Sequence, residues 1–250
     1  MTKNNKKENI WDNVDIVVAH YSEDIEWLRP YAKNAIVYHK GKEDAPRFPV
    51  KKWVKIENVW REWETYLQHI INNYDNLADI TIFLQWWMHD QLDNRVAYRD
   101  LEEYIKEVKK YWFSTRRTWF VWRKDPQIVF DWKFKEWYDN WWMRHAKDSF
   151  AQFYKKIFWE PQPLVFPCFF AANYAVTKEV IRKRPKKFYE KIHEHFIDHS
   201  NPEEWHYLER LWFRVYNDKL KFHYFKKILV NPLIGIWYHT CLFFKKFKSQ

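Results

Sequence analysis

Residues 15–24 have the sequence Asp-Ile-Val-Val-Ala-His-Tyr-Ser-Glu-Asp, in which a short apolar run meets a cluster of polar side chains. Continuous apolar runs of this length, rich in β-branched residues, are typical of strands buried on both faces of a sheet. The polar residues stand where the strand ends, and open α/β sheets place ligand sites at that edge. This stretch therefore predicts a buried strand that delivers functional side chains at its carboxyl end.

Two further apolar runs extend this pattern toward the middle of the chain. Residues 35–38 form a second strand-like run, and residues 80–84 form a third. A helical face over residues 65–73 separates them, and helices are predicted again over residues 178–184, 185–195 and 202–215. Strands alternating with helices favour an α/β fold with a largely parallel sheet, followed here by a C-terminal helical part.

The composition divides the chain into three parts: a flexible N-terminus (residues 1–13), one folded domain (14–216) and a basic, aromatic tail (217–250). The start is polar and lysine-rich without an apolar segment behind it, so no secretory signal is expected. Residues 228–244 are mostly apolar, but polar residues and a proline interrupt them. A spanning helix needs about 20 apolar residues. We therefore expect a cytoplasmic protein whose tail packs on the domain or contacts a membrane surface peripherally.

The charge favours a phosphate-rich partner. The net charge is +10, which suits a nucleotide, a nucleic acid or an anionic membrane face. The lysines are spread in pairs such as Lys109-Lys110, without the dense cluster that nucleic-acid binding favours. Nucleic acid is therefore not the expected partner.

The two cysteines, Cys168 and Cys241, lie far apart in the sequence and are expected to be reduced.

Tryptophan and glycine occur in abnormal numbers, with 18 tryptophans and 2 glycines among 250 residues. Ordinary usage is about 7% glycine, and glycine supplies the positive φ angles of turns and helix ends. Several tryptophans stand in turn-like contexts: Trp86, Trp87, Trp132, Trp141, Trp142 and Trp205. We hypothesise that many of them are UGA codons translated as tryptophan in a gene whose organism reads UGA as glycine. The alternative is a tryptophan-rich surface that binds carbohydrate or membrane.

The hypothesis predicts where these side chains lie. The six tryptophans in turn-like contexts should be more exposed than their size warrants, whereas Trp27 and Trp212 should be buried, because an authentic tryptophan normally buries most of its surface.

Common nucleotide and hydrolase motifs are missing. Neither a dinucleotide-binding glycine loop nor a P-loop is present, and replacing tryptophans with glycine does not create the Gly-Lys-Ser/Thr ending. No serine has the neighbours of a nucleophile elbow. His195 and His199 stand four residues apart, but a solvated helix face explains them better than a zinc signature does.

A series of short motifs resembles a widespread family of uncharacterised proteins, a domain of unknown function. The family pattern contains Glu-Asp-x-x-Trp-Leu, Tyr-x-Lys-Gly, Asn-x-Gly-Arg-Glu, Thr-Tyr-Leu-x-His-Ile and Phe-Leu-Gln-Gly. The matching segments here are residues 23–28, 38–41, 58–62, 65–70 and 83–86. Trp60 and Trp86 stand where the family has glycine, which supports the codon hypothesis. The resemblance covers residues 14–216.

The layout of this family is similar to that of glycosyltransferases of the A-type fold. The resemblance implies nucleotide-binding roles for Tyr21, Glu23, Asp24, Arg61 and Gln85, with Arg61 contacting phosphate. It implies a nucleotide-sugar or glycan as partner. His89 and Asp90 occupy the region where those glycosyltransferases have a metal-binding Asp-x-Asp, but that motif is absent here, so a divalent cation stays an open expectation.

The general base is expected to be Glu209 or Asp90. Glu209 lies in Leu208-Glu209-Arg210-Leu211-Trp212, where apolar neighbours bury one side of a helix while the carboxylate points toward a cleft. We expect Glu23, Asp24, Arg61, Gln85 and His89 to converge on one cleft at the carboxyl ends of the strands.

Several alternatives remain at this point. Glu23 and Asp24 also suit a helix cap, Arg61 and Glu62 a surface pair, and Glu209 and Arg210 a solvated pair within a helix. At the level of function, the alternatives to a glycosyltransferase-like enzyme are a non-catalytic glycan- or partner-binding module on the same fold and a basic membrane-peripheral protein.

Overall fold

The computed structural model describes residues 9–58, 61–85, 101–115, 119–121, 140, 143–163, 166–168, 172–194 and 201–216. The strands are β1 (Val14–His20), β2 (Ala35–His39), β3 (Lys52–Lys55), β4 (Ile80–Gln85), β5 (Phe113–Thr115), β6 (Trp119–Val121), β7 (Phe166–Cys168) and β8 (Tyr174–Thr177). The α-helices are α1 (Arg61–Asn73), α2 (Leu101–Tyr111), α3 (Phe150–Phe158), α4 (Lys178–Ile181), α5 (Lys186–Glu194) and α6 (Glu203–Tyr216). Two 3₁₀ helices span Glu26–Asn34 and Tyr74–Asn76.

The main sheet has six strands in the order β3-β2-β1-β4-β8-β5, and a smaller sheet pairs β6 with β7. The four strands from β3 to β4 are parallel, whereas β8 runs antiparallel to both of its neighbours, β4 and β5. The α/β class is confirmed, but the prediction of a largely parallel sheet is wrong because the sheet is mixed. A short apolar run looks the same in either direction, so the sequence around β8 did not reveal its orientation.

Side chains from alternate positions of β1 enter two separate cores, as the two-residue period of a strand requires. Val17 and Ala19 pack on one face with α1, α3, α5 and α6, whereas Ile16 and Val18 pack on the other with α2 and the first 3₁₀ helix. All seven residues of β1 are buried. The predicted central strand is confirmed, and the two cores hold it in place by packing on both of its faces.

The helices follow the apolar spacing of the sequence, with one exception near the N-terminus. In α1, Trp63, Tyr66, Leu67 and Ile70 are buried at helical spacing. After β1 a loop intervenes, and the segment that follows it, Glu26–Asn34, is a 3₁₀ helix. Pro30 inside that segment has no N–H to donate to a preceding turn, which disfavours a regular α-helix.

The described tryptophans only partly follow the exposure prediction. Trp212 is buried as expected, but Trp205 is only 5% exposed, so the prediction for Trp205 is wrong; its ring packs edge-on against Trp63. Trp27 is only partly buried. The other positions named for this hypothesis, Trp60, Trp86, Trp87, Trp132, Trp141 and Trp142, lie outside the described residues.

Two other tryptophans have an unusual backbone conformation. Among the described residues other than glycine, positive φ angles occur at Asn13, Trp112 and Trp159, at 54°, 63° and 56°. Trp112 directly follows α2 and Trp159 directly follows α3. The Trp159 N–H donates to the Lys155 carbonyl at 2.9 Å, and the Trp112 N–H donates to the Val108 carbonyl at 2.6 Å. A left-handed residue with this bond is the helix C-terminal cap in which glycine is most common.

The two ends of the chain, residues 1–8 and 217–250, lie outside the described residues, and so do His195 and His199. In the part that is described, no helix combines the length and the apolar character needed to cross a membrane.

Candidate functional site

The carboxyl ends of β1 and β4 meet at the point where the chain order of the sheet reverses. From β1 the chain proceeds outward to β2 and β3, and β4 then returns to the opposite side of β1. Ala19 of β1 lies opposite Gln85 of β4, and His20 lies opposite His39 of β2. In open α/β sheets, ligands bind outside the carboxyl ends of the strands at this switch point. We therefore take this carboxyl edge as the candidate site.

The loop after β1 places Tyr21, Glu23 and Asp24 at this edge. The Oε2 atom of Glu23 accepts hydrogen bonds from the backbone N–H groups of Tyr21 and Ser22, at 2.8 and 3.0 Å. Asp24 Oδ1 accepts a hydrogen bond at 3.0 Å from the N–H of Glu26, the first residue of the 3₁₀ helix. The two carboxylates thus shape their own loop, whereas the ring of Tyr21 is 44% exposed.

Gln85 closes the other side of the switch point. The backbone N–H of Gln85 donates to the Asn173 side-chain oxygen at 2.8 Å. The last residue of β4 is therefore hydrogen-bonded to a side chain from the segment that precedes β8. The residues that follow Gln85 include His89 and Asp90, which lie outside the described residues. The roles expected for them, metal binding by both residues and general-base catalysis by Asp90, stay predictions.

The start of α1 also belongs to this edge. Because β3 is parallel to β1, it ends at the carboxyl edge at Lys55, and α1 begins six residues later at Arg61. The backbone of Arg61 is described, but its side chain is not. Glu23, Asp24, Gln85 and the start of α1 therefore share one edge, while the convergence of all five predicted side chains on one cleft stays a prediction.

Lys40 is a buried cation at the same edge, and sequence reasoning did not single it out. Its N–H donates to the His20 carbonyl at 2.8 Å, which continues the β1–β2 pairing past the strands. The residue is only 7% exposed. Burial lowers the pKa of Lys40 to about 8, whereas the charges of Glu62 and Glu64 act in the opposite direction. Lys40 therefore still carries its charge at neutral pH.

Two buried histidines end the neighbouring strands β1 and β2. The Nδ1 atoms of His20 and His39 are 2.8 Å apart. His20 Nε2 lies 2.9 Å from the Glu23 carbonyl, and His39 Nε2 lies 3.0 Å from Glu43 Oε2. The ring of Trp53 stacks on His39 with centroids 4.8 Å apart.

A glycine brings the two loops of this edge together. An added Cβ on Gly41 would lie 2.0 Å from the Tyr21 carbonyl oxygen and 2.7 Å from the His39 ring. Both approaches are shorter than atoms tolerate, so a side chain does not fit at this position. Gly41 therefore allows the loop after β2 to lie directly on the loop after β1.

Little open space remains between these loops. A space of about 20 Å³ lies among residues that include His20, Glu43, Phe48 and Trp53. That volume is close to what one water molecule requires. A ligand at the edge must therefore lie over the loops or displace the loop after β2.

Glu209 lies on α6, in the C-terminal part of the described chain. Its Oε2 atom is 3.8 Å from His206 Nδ1, one helical turn earlier. At the 3.6-residue period, Glu209 shares a helix face with Trp205 and Trp212, and Trp212 stacks on Trp63 near the start of α1. Glu209 therefore faces the same side of α6 as α1, whose first turn belongs to the carboxyl edge.

A second polar cluster lies between α1 and α5, and its Glu64 also belongs to the first turn of α1, near enough to Lys40 for its charge to raise the Lys40 pKa. Glu64 is buried, and its two carboxylate oxygens lie 3.0 and 2.9 Å from His193 Nε2. The Gln68 amide donates to Glu64 at 2.5 Å. This hydrogen bond to Glu64 is the largest influence on the pKa of His193 and raises it. These contacts stabilise the packing of α5 on α1.

A metal centre finds little support within the part of the chain that the structure describes. No group there contains three or more histidine, cysteine, aspartate or glutamate side chains placed to hold a metal ion. The divalent cation of the sequence analysis therefore rests on His89 and Asp90 alone.

The histidine pair and Lys40 were missed, although the sequence carried a signal for them. His20 and His39-Lys40 both follow apolar runs, and parallel neighbouring strands bring their carboxyl ends together. Pairing the two runs in register places these side chains together.

Comparison with known proteins gives one match. The family model described as "Protein of unknown function (DUF3431)" matches residues 16–225. No curated protein and no solved structure matches the chain.

Proposed function

We propose that this chain, which belongs to the DUF3431 family of proteins of unknown function, is a glycosyltransferase-like enzyme. In this proposal it binds a nucleotide-linked sugar at the carboxyl edge of β1 and β4 and transfers the sugar to a hydroxyl acceptor. The observation that carries the proposal is the switch point, where the polar loops after β1 and β2 meet the end of β4. Ligands of open α/β sheets bind at such points.

The nucleotide would lie over the loop after β1. Tyr21 offers an exposed ring for contact with the base. Lys40, Arg61 and the N-terminal dipole of α1 supply positive charge for the diphosphate, against the carboxylates of Glu62 and Glu64 in the same turn. Glu23 and Asp24 hold their loop through the backbone contacts described above, so their expected role becomes positioning as well as contact with the ribose.

The proposed transfer breaks the bond between the sugar's anomeric carbon and the diphosphate oxygen and forms a bond to the acceptor oxygen. The nucleoside diphosphate leaves with the bonding electron pair, and the hydroxyl proton passes to Glu209 or Asp90 as general base. Base catalysis of this type typically contributes about 10²- to 10⁴-fold to the rate. No step is assigned to a metal ion.

Calorimetry of the full chain with uridine and guanosine diphosphate sugars tests the binding step. Lys40→Met keeps the length of the side chain and removes the charge, so we expect at least a tenfold loss of affinity. Lys106→Met is the matched control, because Lys106 is exposed on α2 and paired with Glu102. Equal affinities of the two variants would contradict the role of Lys40.

The pH dependence of binding provides a second check on Lys40. The lowered pKa of about 8 means that the ammonium loses its proton as the pH rises through that value. Affinity for the diphosphate should therefore fall above pH 8 in the wild type and stay flat in Lys40→Met.

Glu209→Gln and Asp90→Asn test the transfer step. The variant that lacks the true base should lose transfer by about 10²- to 10⁴-fold while it still binds the nucleotide sugar, because the base acts on the acceptor. Nucleotide binding with full transfer in both variants would contradict the assignment of the base.

The two alternative functions are distinguishable in the same experiments. A glycan- or partner-binding module would bind glycan without binding any nucleotide sugar. A membrane-peripheral protein would bind anionic vesicles and lose that binding at high salt. Either outcome, in the absence of nucleotide binding, would replace the enzymatic proposal.

A further inference from the structure

The histidines at the ends of β1 and β2 form a buried pair whose hydrogen atoms can be counted. His39 is fully buried and His20 is 6% exposed. The Glu23 carbonyl oxygen only accepts hydrogen bonds, so His20 Nε2, at 2.9 Å, must carry a hydrogen. This leaves His20 Nδ1 as a bare acceptor when the ring is neutral.

His39 meets a similar requirement at its own Nε2 atom. Glu43 Oε2 lies 3.0 Å away, although it stands off the direction of the Nε2–H bond. A bare nitrogen lone pair at that distance would repel the carboxylate, whereas an N–H group attracts it. The contact between His39 and Glu43 therefore favours the form of His39 that carries a hydrogen on Nε2.

These two requirements leave both Nδ1 atoms facing each other at 2.8 Å. With a hydrogen on both Nε2 atoms, two bare lone pairs would repel at that distance, and a further proton between the Nδ1 atoms removes this repulsion. The separation suits an N–H···N hydrogen bond. A tetrahedral metal with bonds of about 2.0–2.1 Å to each nitrogen would hold them about 3.3 Å apart.

We propose that His20 and His39 bind one shared proton, and that this proton controls the Glu43 loop (residues 41–48) at the candidate site. With the proton bound, the pair is cationic and Glu43 is held against His39. Without it, the pair is neutral, and His39 uses its one N–H group, on Nδ1, to donate to His20. His39 Nε2 then carries no hydrogen, and Glu43 is released. The proposal needs no ligand, so it does not depend on the proposed enzymatic function.

Release of Glu43 would change access to the carboxyl edge. The Glu43 loop borders the small space between the loops after β1 and β2, together with Ser22 and Glu26. Gly41 anchors the start of this loop against the Tyr21 carbonyl. Lys55 Nζ also donates to the Glu43 carbonyl at 2.9 Å and Phe48 is buried in the core, so the movement would concern the Glu43 side chain and residues 44–47 and would widen the space there.

The charges around the pair determine the pH at which this happens. Burial is the largest influence on the pKa of His39 and lowers it, and the charges of His20 and Lys55 act in the same direction. Glu43 and Glu23 raise it. The net direction is downward, so the loop should be held in acid and released as the pH rises toward neutrality.

NMR of the full chain labelled with ¹⁵N-histidine, recorded from pH 4.5 to 8, tests the proposal. The ring nitrogens of His20 and His39 should titrate in one common step, with Nδ1 shifts of a shared proton on the acid side. Amide exchange across residues 41–48, corrected for intrinsic rates, should be slower on the acid side of that step. Two independent titrations would overturn the proposal.

Glu43→Gln is the decisive variant, because Glu43 is half-exposed and its loss should not prevent folding. Removing the carboxylate should lower the common midpoint by about one pH unit and abolish the change in amide exchange. Glu26→Gln is the control, since Glu26 borders the same space but pairs with Arg29. Identical midpoints in the two variants would overturn the proposal, and so would ring shifts that disappear when a chelator is added, because a bound metal would then be the bridging cation.

Discussion

Trp159 and Trp212 show two opposite environments for the same side chain. Trp159 follows the last residue of α3 with a left-handed backbone and is 65% exposed. Trp212 lies within α6 and is 1% exposed, with its ring 3.8 Å from that of Trp63 and 5.0 Å from that of Tyr174. The backbone at position 159 has a conformation that suits glycine, whereas at position 212 the whole indole ring is packed in the core.

This difference separates two classes of tryptophan in a chain with only 2 glycines. If UGA codons for glycine were translated as tryptophan, substitution by glycine should improve the first class and damage the second. If every tryptophan is authentic, glycine should be unfavourable in both. The five predictions below test this contrast and its surroundings, beginning with the largest expected effect.

Trp212→Ala should cost the most. The substitution removes the ring that contacts Trp63, Tyr174 and Tyr216 and leaves a cavity in the core. Truncating a buried tryptophan typically costs about 3–5 kcal/mol of unfolding free energy. Urea denaturation measures the loss, and a cost below about 1 kcal/mol would place Trp212 in the same class as Trp159.

Gly41→Ala should have the next largest effect, because it tests a glycine that the chain retains. The added Cβ would lie 2.0 Å from the Tyr21 carbonyl oxygen, so the two loops must separate. Inserting atoms into tight packing typically costs about 1–3 kcal/mol. The histidine titration should change as well, since the Glu43 loop starts here. Unchanged stability would show that the loops are not held as the structure places them.

The sequence was sufficient to predict the elements that apolar spacing controls. Residues 15–19, 35–38 and 80–84 lie within β1, β2 and β4, and the helix predicted over 202–215 is nearly α6. Strand direction was not predictable in the same way. Tyr174, Ala175 and Val176 are buried on both faces of the sheet like a parallel strand, yet antiparallel pairing with β4 satisfies the same side chains.

The position of the site could be predicted from the sequence, but the contacts of its individual residues were less predictable. The polar residues after β1 indicated the carboxyl edge, but local propensity did not show that Glu23 and Asp24 would bond to their own loop. The contact between His20 and His39 depends on strand register, which no single run contains. Trp205 was placed in a turn because of its proline and acidic neighbours, whereas these residues begin α6 and the ring turns inward toward Trp63.

Trp159→Gly should increase stability. A left-handed conformation costs a residue with a side chain about 1–2 kcal/mol relative to glycine, and only part of that cost is offset by contacts of the exposed ring. We expect a net gain of about 0.5–1 kcal/mol from the difference of these terms. Trp159→Ala is the control, because it removes the ring but keeps the strained backbone and should therefore bring no gain.

Trp112→Gly extends the same test to α2. Its ring is partly buried against Phe213, with centroids 5.8 Å apart, so the gain should be smaller than at Trp159. The gene gives an independent check, since the hypothesis requires UGA at positions 112 and 159 and UGG at 212. A loss of several kcal/mol in either glycine variant would contradict it.

The smallest expected effect concerns the contact that the exposed ring makes with its neighbour. Lys191 Nζ lies 4.1 Å from the centroid of Trp159, a cation–π contact of a type worth about 0.5–1 kcal/mol at exposed sites. A double-mutant cycle with Trp159→Gly and Lys191→Ala isolates this coupling. The glycine substitution should then stabilise the Lys191→Ala background more than the wild type, because the ring no longer has a cation to contact. A coupling of zero would mean that the backbone conformation alone sets the stability of this helix end, and glycine would then show its full advantage at position 159 in both backgrounds.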